Sequence, residues 1–169
     1  AAEVNITPPL GTLVNGGFFT NYARIIHDSM HTKALVLKNN ETTVALVVVD
    51  ICEMLKDFID ATKSQIENET DIPAANILIS STHAHSAGAV ESDFLAFADL
   101  GYRKKLQGLI AESVKNAQQK LRPAQIAFGA FEAPEHVVCR RYFMKDGYEA
   151  VNPVTGQGEN KPFWRRKND

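Results

Sequence analysis

The chain has 169 residues, 44% of them hydrophobic and 22% charged, with a formal net charge of −2. That length builds one ordinary domain with a real core. The near-neutral charge gives no electrostatic reason to expect nucleic acid or an anionic membrane surface as a partner, and the short basic cluster 165-RRK-167 reads as a solvated tail. The longest apolar run, 44-VALVVVDIC-52, falls well short of the ~20 residues that span a bilayer, so no transmembrane segment is expected. The N-terminus, Ala1-Ala2-Glu3, resembles what remains after cleavage at a small-residue site, which points to a secreted or periplasmic protein. Cys52 and Cys139 are too few for a disulfide framework.

In chain order, residues 1 to 31 are expected to be irregular, punctuated by Pro8-Pro9, Gly11 and Gly16-Gly17. Two β-rich runs follow, 33-KALVLK-38 and 43-TVALVVVD-50, separated by Asn39-Asn40-Glu41-Thr42. Asparagine tolerates the left-handed backbone of tight turns, so the pair reads as a hairpin. The second run is apolar on both faces, as a central strand would be. A helix is expected from about residue 54 to 68, with Leu55, Phe58, Ile59, Thr62 and Ile66 on one stripe. Asp71 and Pro73 end it, and 76-NILIS-80 makes the next strand. A second helix is expected over 101 to 121, its face built from Tyr102, Leu106, Leu109, Ile110, Ala117 and Leu121, and Arg122-Pro123 stops it. Last, 124-AQIAFGAFEA-133 alternates as a strand does. The order β-β-α-β-α-β implies an α/β fold in which a mixed sheet is flanked by helices. Residues 1 to 150 form the domain, and 151 to 169 read as an irregular tail, a truncated loop.

The chemistry concentrates just past the strand 76-NILIS-80, in 80-SSTHAHSAGAV-90. Ligands of open α/β sheets collect beyond the carboxyl ends of strands, and His83 and His85 stand at such an end. In an extended backbone residues i and i+2 point the same way, so both imidazoles could face one site. An imidazole pair suits a hydrolytic zinc, one ring ligating and the other handling a proton. The plain alternative is a polar turn that contains two histidines. Asp50 ends the neighbouring strand, where it could accept a hydrogen bond from a ligand ring or simply cap a turn. His27, His31 and His136 have no partner by spacing, and no G-x-S-x-G elbow surrounds Ser86. Of the adjacent Arg140 and Arg141, at most one would face a shared site, where it could stabilise developing negative charge; surface pairing is the alternative.

Four stretches in order, 6-ITPPLGT-12, 27-HDSMHTKALVLKNNETTVALVVVDIC-52, 77-ILISSTHAHSAG-88 and 138-VCRRYFMKDG-147, resemble the N-terminal part of the neutral/alkaline ceramidases. That resemblance implies a zinc-dependent amidase that splits the N-acyl bond of ceramide or a related N-acyl lipid. It implies His83 as a zinc ligand, His85 as a catalytic group beside the metal, and Arg140 as the residue that holds the substrate or its oxyanion. It also implies that the remaining zinc ligands and a catalytic serine lie beyond residue 169. On that view the chain is an incomplete catalytic domain, inactive alone, whose partner is the remainder of its own catalytic domain. The loop departs from the family pattern, reading His-Ala-His-Ser-Ala-Gly-Ala instead of His-Thr-His-Ser-Gly-Pro-Gly, and Cys139 stands where the family often has asparagine. Two other readings remain: a different metal-dependent hydrolase in which His-x-His supplies two ligands together, and a non-catalytic binding module of the same fold.

Overall fold

The computed structural model describes residues 1–92 and 95–136, together with the backbone pairing of 150–151 and 158–159. The chain forms two compact units, Ala1–Pro123 and Ala124–Asp169.

In the first unit, the alternating run after residue 30 forms β4 (His31–Lys38) and the apolar run after the asparagines forms β5 (Thr43–Val49). They pair antiparallel with Lys38 opposite Thr43. The Asn39 side chain closes the turn by accepting the amides of Glu41 and Thr42 at 3.0 and 2.7 Å, as the expected hairpin requires. Helix α1 (Lys56–Thr70) follows, then a 3-10 turn at Ala74–Asn76 and strand β6 (Ile77–Ser81). Because a helix separates them, β5 and β6 can lie parallel, and they do so with Val49 opposite Ser81. α1 ends where Asp71 turns left-handed and its amide bonds Glu67 O.

Residues 1 to 31 are more regular than their proline and glycine content suggests. Strand β1 (Ala2–Asn5) adds antiparallel to β4, completing a four-stranded mixed sheet in the order β1-β4-β5-β6. Strands β2 (Leu13–Asn15) and β3 (Asn21–Tyr22) pair with each other, and β2 also pairs with β7 (Ala87–Gly88), giving a second small sheet. Helix α2 (Leu100–Gln119) begins at Asp99, whose side chain accepts the Tyr102 amide at 2.9 Å. The fold is α/β, a mixed sheet with helices, as expected.

One face of the main sheet makes the core. Ala34, Val36, Ala45, Val47, Val49, Ile77 and Ile79 point inward against Phe58 and Ile66 of α1 and Tyr102, Leu106, Ile110 and Val114 of α2. The Tyr102 hydroxyl donates to Ile6 O at 2.6 Å inside that core, and burial pushes its phenol pKa up. Alternation sends the neighbours outward. Leu35, Leu46 and Leu78, which face one another across three strands, are 41%, 40% and 60% exposed. No helix among the described residues is long and apolar enough to cross a membrane.

In the second unit, residues 124–133 form no strand, which corrects the expectation drawn from their alternation. Ile126, Phe128 and Phe131 are exposed, and alternation without a pairing strand leaves the backbone unsatisfied as a sheet. A 3-10 turn follows at Pro134–His136, and β8 (Ala150–Val151) pairs antiparallel with β9 (Gly158–Glu159), across the boundary at residue 150 beyond which an irregular tail was expected.

Candidate metal centre

The parallel pairing of β5 with β6 brings two carboxyl ends to one edge of the sheet. The pairing continues past both strands, Thr82 N donating to Val49 O at 3.0 Å and Ala84 N to Ile51 O at 3.1 Å. The segments carrying Cys52 and His83 are therefore zipped together beyond the strand ends. The backbone at His83 is left-handed, φ +59°, and it is again at Ser86, φ +70°. The two histidines thus meet through a turn and not through the extended backbone considered from the sequence. Histidine tolerates this conformation better than most residues.

The rings stand edge to face, centroids 4.9 Å apart and planes at 90°, with the two Nε2 atoms 3.5 Å apart. His83 Nδ1 lies 2.8 Å from the backbone oxygen of Cys52 and 3.7 Å from its sulfur. A proton on Nδ1 donated to that carbonyl leaves Nε2 with its lone pair outward, the usual arrangement of a ligating histidine. Cys52, His83 and His85 each offer one ligand atom within 4.8 Å of the others, so the group could hold a metal ion. Cys52 is buried, while both rings are exposed.

Two cavities meet this edge. One of about 250 Å³ is lined by Asn15, Glu53, Cys52, His83 and His85 among others. The other, about 840 Å³, runs from His85 past Asp50 to Ile25, Ile26 and Met30. Gly16, at φ +104°, lies against His85 so closely that a Cβ there would stand 2.6 Å from His85 Cα.

The remaining sequence candidates fall out as follows. The Asp50 carboxylate accepts the His31 amide at 3.0 Å, which fastens the start of β4, so its structural role is the one the hydrogen bonds show. His27 is fully exposed and pairs with Asp28 at 2.8 Å; that hydrogen bond and the aspartate charge raise its pKa. His136 is exposed, 3.6 Å from Glu135. Ser86 donates its amide to Asn15 O at 2.9 Å. Arg140, Arg141 and Cys139 lie outside the described residues.

Sequence reasoning missed Cys52, Asn15 and Glu53 at this edge. For Cys52 a signal existed, since it follows a strand end three residues on, as His83 follows another by two. The parallel register that joins those two ends has no sequence signature. A scan against protein-family models finds no match to this sequence, and a search of curated proteins finds none either.

Proposed function

We propose that the chain carries the metal centre of a zinc-dependent amidase that hydrolyses the N-acyl bond of ceramide or a related N-acyl lipid, in a secreted or periplasmic protein. The observation that carries the reading is the convergence of Cys52, His83 and His85 within 4.8 Å at the carboxyl edge of two parallel strands. Metal–nitrogen bonds of about 2.0–2.1 Å at a tetrahedral angle set two ligating nitrogens about 3.4 Å apart. The separation of 3.5 Å between the two Nε2 atoms fits that geometry. Three protein donors with one position left open is also the pattern of catalytic zinc, and thiolate with imidazole suits zinc's borderline softness.

Zinc bound there supplies polarisation of a substrate carbonyl and acidification of a water. The chain's own groups do the positioning. The Cys52 carbonyl fixes the His83 tautomer, and the close approach of Gly16 leaves no room for a side chain beside His85. The larger cavity, with Ile25, Ile26 and Met30 along its wall, offers an apolar surface beside His85 for an acyl chain. Arg140 is the group this reading assigns to the developing charge on the substrate oxygen.

The test is metal content and hydrolysis together. The chain binds one zinc, and His83→Ala abolishes it; the full-length gene product carrying this chain releases fatty acid from a short-chain ceramide, and the same substitution stops it. Hydrolysis by His83→Ala at the parent rate would sink the assignment. A second reading keeps the same ligand set but takes a substrate that is not a ceramide, because the 3.5 Å approach of the two Nε2 atoms suits His85 as a ligand where the ceramidase resemblance implies a catalytic role for it. A screen against short N-acyl amides and esters separates the two.

A further inference from the structure

Asn15 closes strand β2, where its backbone pairs opposite Ala87 and accepts the Ser86 amide, so it sits directly beside the His85 turn. The residue is buried, with only 5% of it exposed. Neither Nδ2 nor Oδ1 has a hydrogen-bond partner among the described residues. Nearly every buried polar group in a folded protein is paired, so an amide with both ends unmet points to a polar ligand that completes it. Asn15 is also one of the residues around the cavity of about 250 Å³ that Cys52, Glu53, His83 and His85 line. That space exceeds a single water, whose share of liquid volume is about 30 Å³, and accepts a small acyl group.

The lining decides which chemistry fits. Cys52, His83 and His85 are engaged as candidate ligands, and Glu53 brings a carboxyl group and no N–H donor. Among the lining side chains, Asn15 Nδ2 is a neutral donor that no partner among the described residues occupies, and a neutral donor suits an oxygen that is uncharged at first and gains charge during reaction. We propose that the Asn15 carboxamide contacts substrate, its Nδ2–H donating to the carbonyl oxygen of an acyl compound held in this cavity. This rests on the reading of the three neighbouring residues as a metal centre.

The experiment uses the full chain loaded with zinc, with acetohydroxamic acid as the probe, since it presents a carbonyl to a metal site. In Asn15→Ala, probe affinity falls tenfold or more while zinc affinity stays within twofold of the parent. Asn15→Asp, similar in shape but without the donor, loses at least as much. In the parent, the Asn15 side-chain N–H resonances shift downfield when the probe is added, which requires no variant to fold. Equal probe affinity in parent and Asn15→Ala, unmoved side-chain resonances, or loss of zinc together with the probe would each overturn the role of Asn15 and leave the metal centre standing. Failure of the parent to bind zinc overturns the metal centre, and the Asn15 assignment with it.

Discussion

Gly16→Ala tests whether the site depends on how closely the β2 turn approaches His85. A Cβ at position 16 would lie 2.6, 2.7 and 2.8 Å from Cα, Cβ and Cγ of His85. Carbon atoms rest about 3.5–4.0 Å apart, so one side must move by about 1 Å. A ligand set tolerates about 0.2 Å in its bond lengths, which makes His85 unable to yield and still ligate. Overpacking of this kind costs about 1–3 kcal/mol, and because the nearest atom is the His85 backbone Cα, rotating the ring does not relieve it and the turn itself must shift. A turn that has shifted must be pulled back before His85 can ligate, which weakens zinc by about 5- to 150-fold if about 1–3 kcal/mol is restored, at about 1.4 kcal/mol per decade. The φ of +104° adds a separate penalty that weakens the fold whether or not metal is bound. Zinc affinity is read by competition with a chromophoric chelator, and folding by circular dichroism. Gly17→Ala is the control, because a Cβ there meets nothing within 4 Å. Should Gly16→Ala bind zinc within twofold of the parent, or Gly17→Ala weaken it equally, the close-approach reasoning is wrong.

Tyr102→Phe removes the buried donor to Ile6 O and leaves that carbonyl unmet, lowering stability by about 1–3 kcal/mol; an unchanged urea midpoint would refute the bond's importance. Asn15→Leu removes an unpaired buried amide, so the urea midpoint rises by the equivalent of about 1–3 kcal/mol, and a fall would mean that the amide is satisfied in solution. His27 is held above its ordinary value of 6.5 by Asp28, so the folded state binds that proton more tightly than the unfolded chain. Its contribution is present below about 6.5 and disappears as pH rises through the folded value. Asp28→Asn brings the midpoint of the His27 ring resonances back down, and a titration that does not move argues against the pair.

The hairpin of β4 and β5 was legible because the Asn39-Asn40-Glu41-Thr42 turn and the flanking apolar runs agree. Both helices were legible from their 3.6-residue stripes, though α1 starts and ends two residues later than the stripe suggests, from an uncapped start after Leu55 to the left-handed turn at Asp71. Strand β1 was hidden, because AEVN is short and carries no turn of its own; it forms only by adding to an edge that β4 presents. The reverse happened at 124–133, where alternation is present and no strand forms there. At the site, the His-x-His loop announced itself. What assembled around it depends on long-range pairing, β5 with β6 for Cys52 and β2 with β7 for Asn15, and on a left-handed turn at His83. None of those is a local property of sequence.

The row of Leu35, Leu46 and Leu78 on the open side of the sheet has a practical consequence at the bench. Fluorescent dyes that light up on greasy surfaces are commonly read as reporters of loosened, partly unfolded protein. Here the folded chain itself displays three aliphatic side chains in register across neighbouring strands, so such a dye brightens with the native state intact. Melting curves for the variants above therefore belong to circular dichroism or intrinsic fluorescence, with the dye signal reserved for mapping that surface.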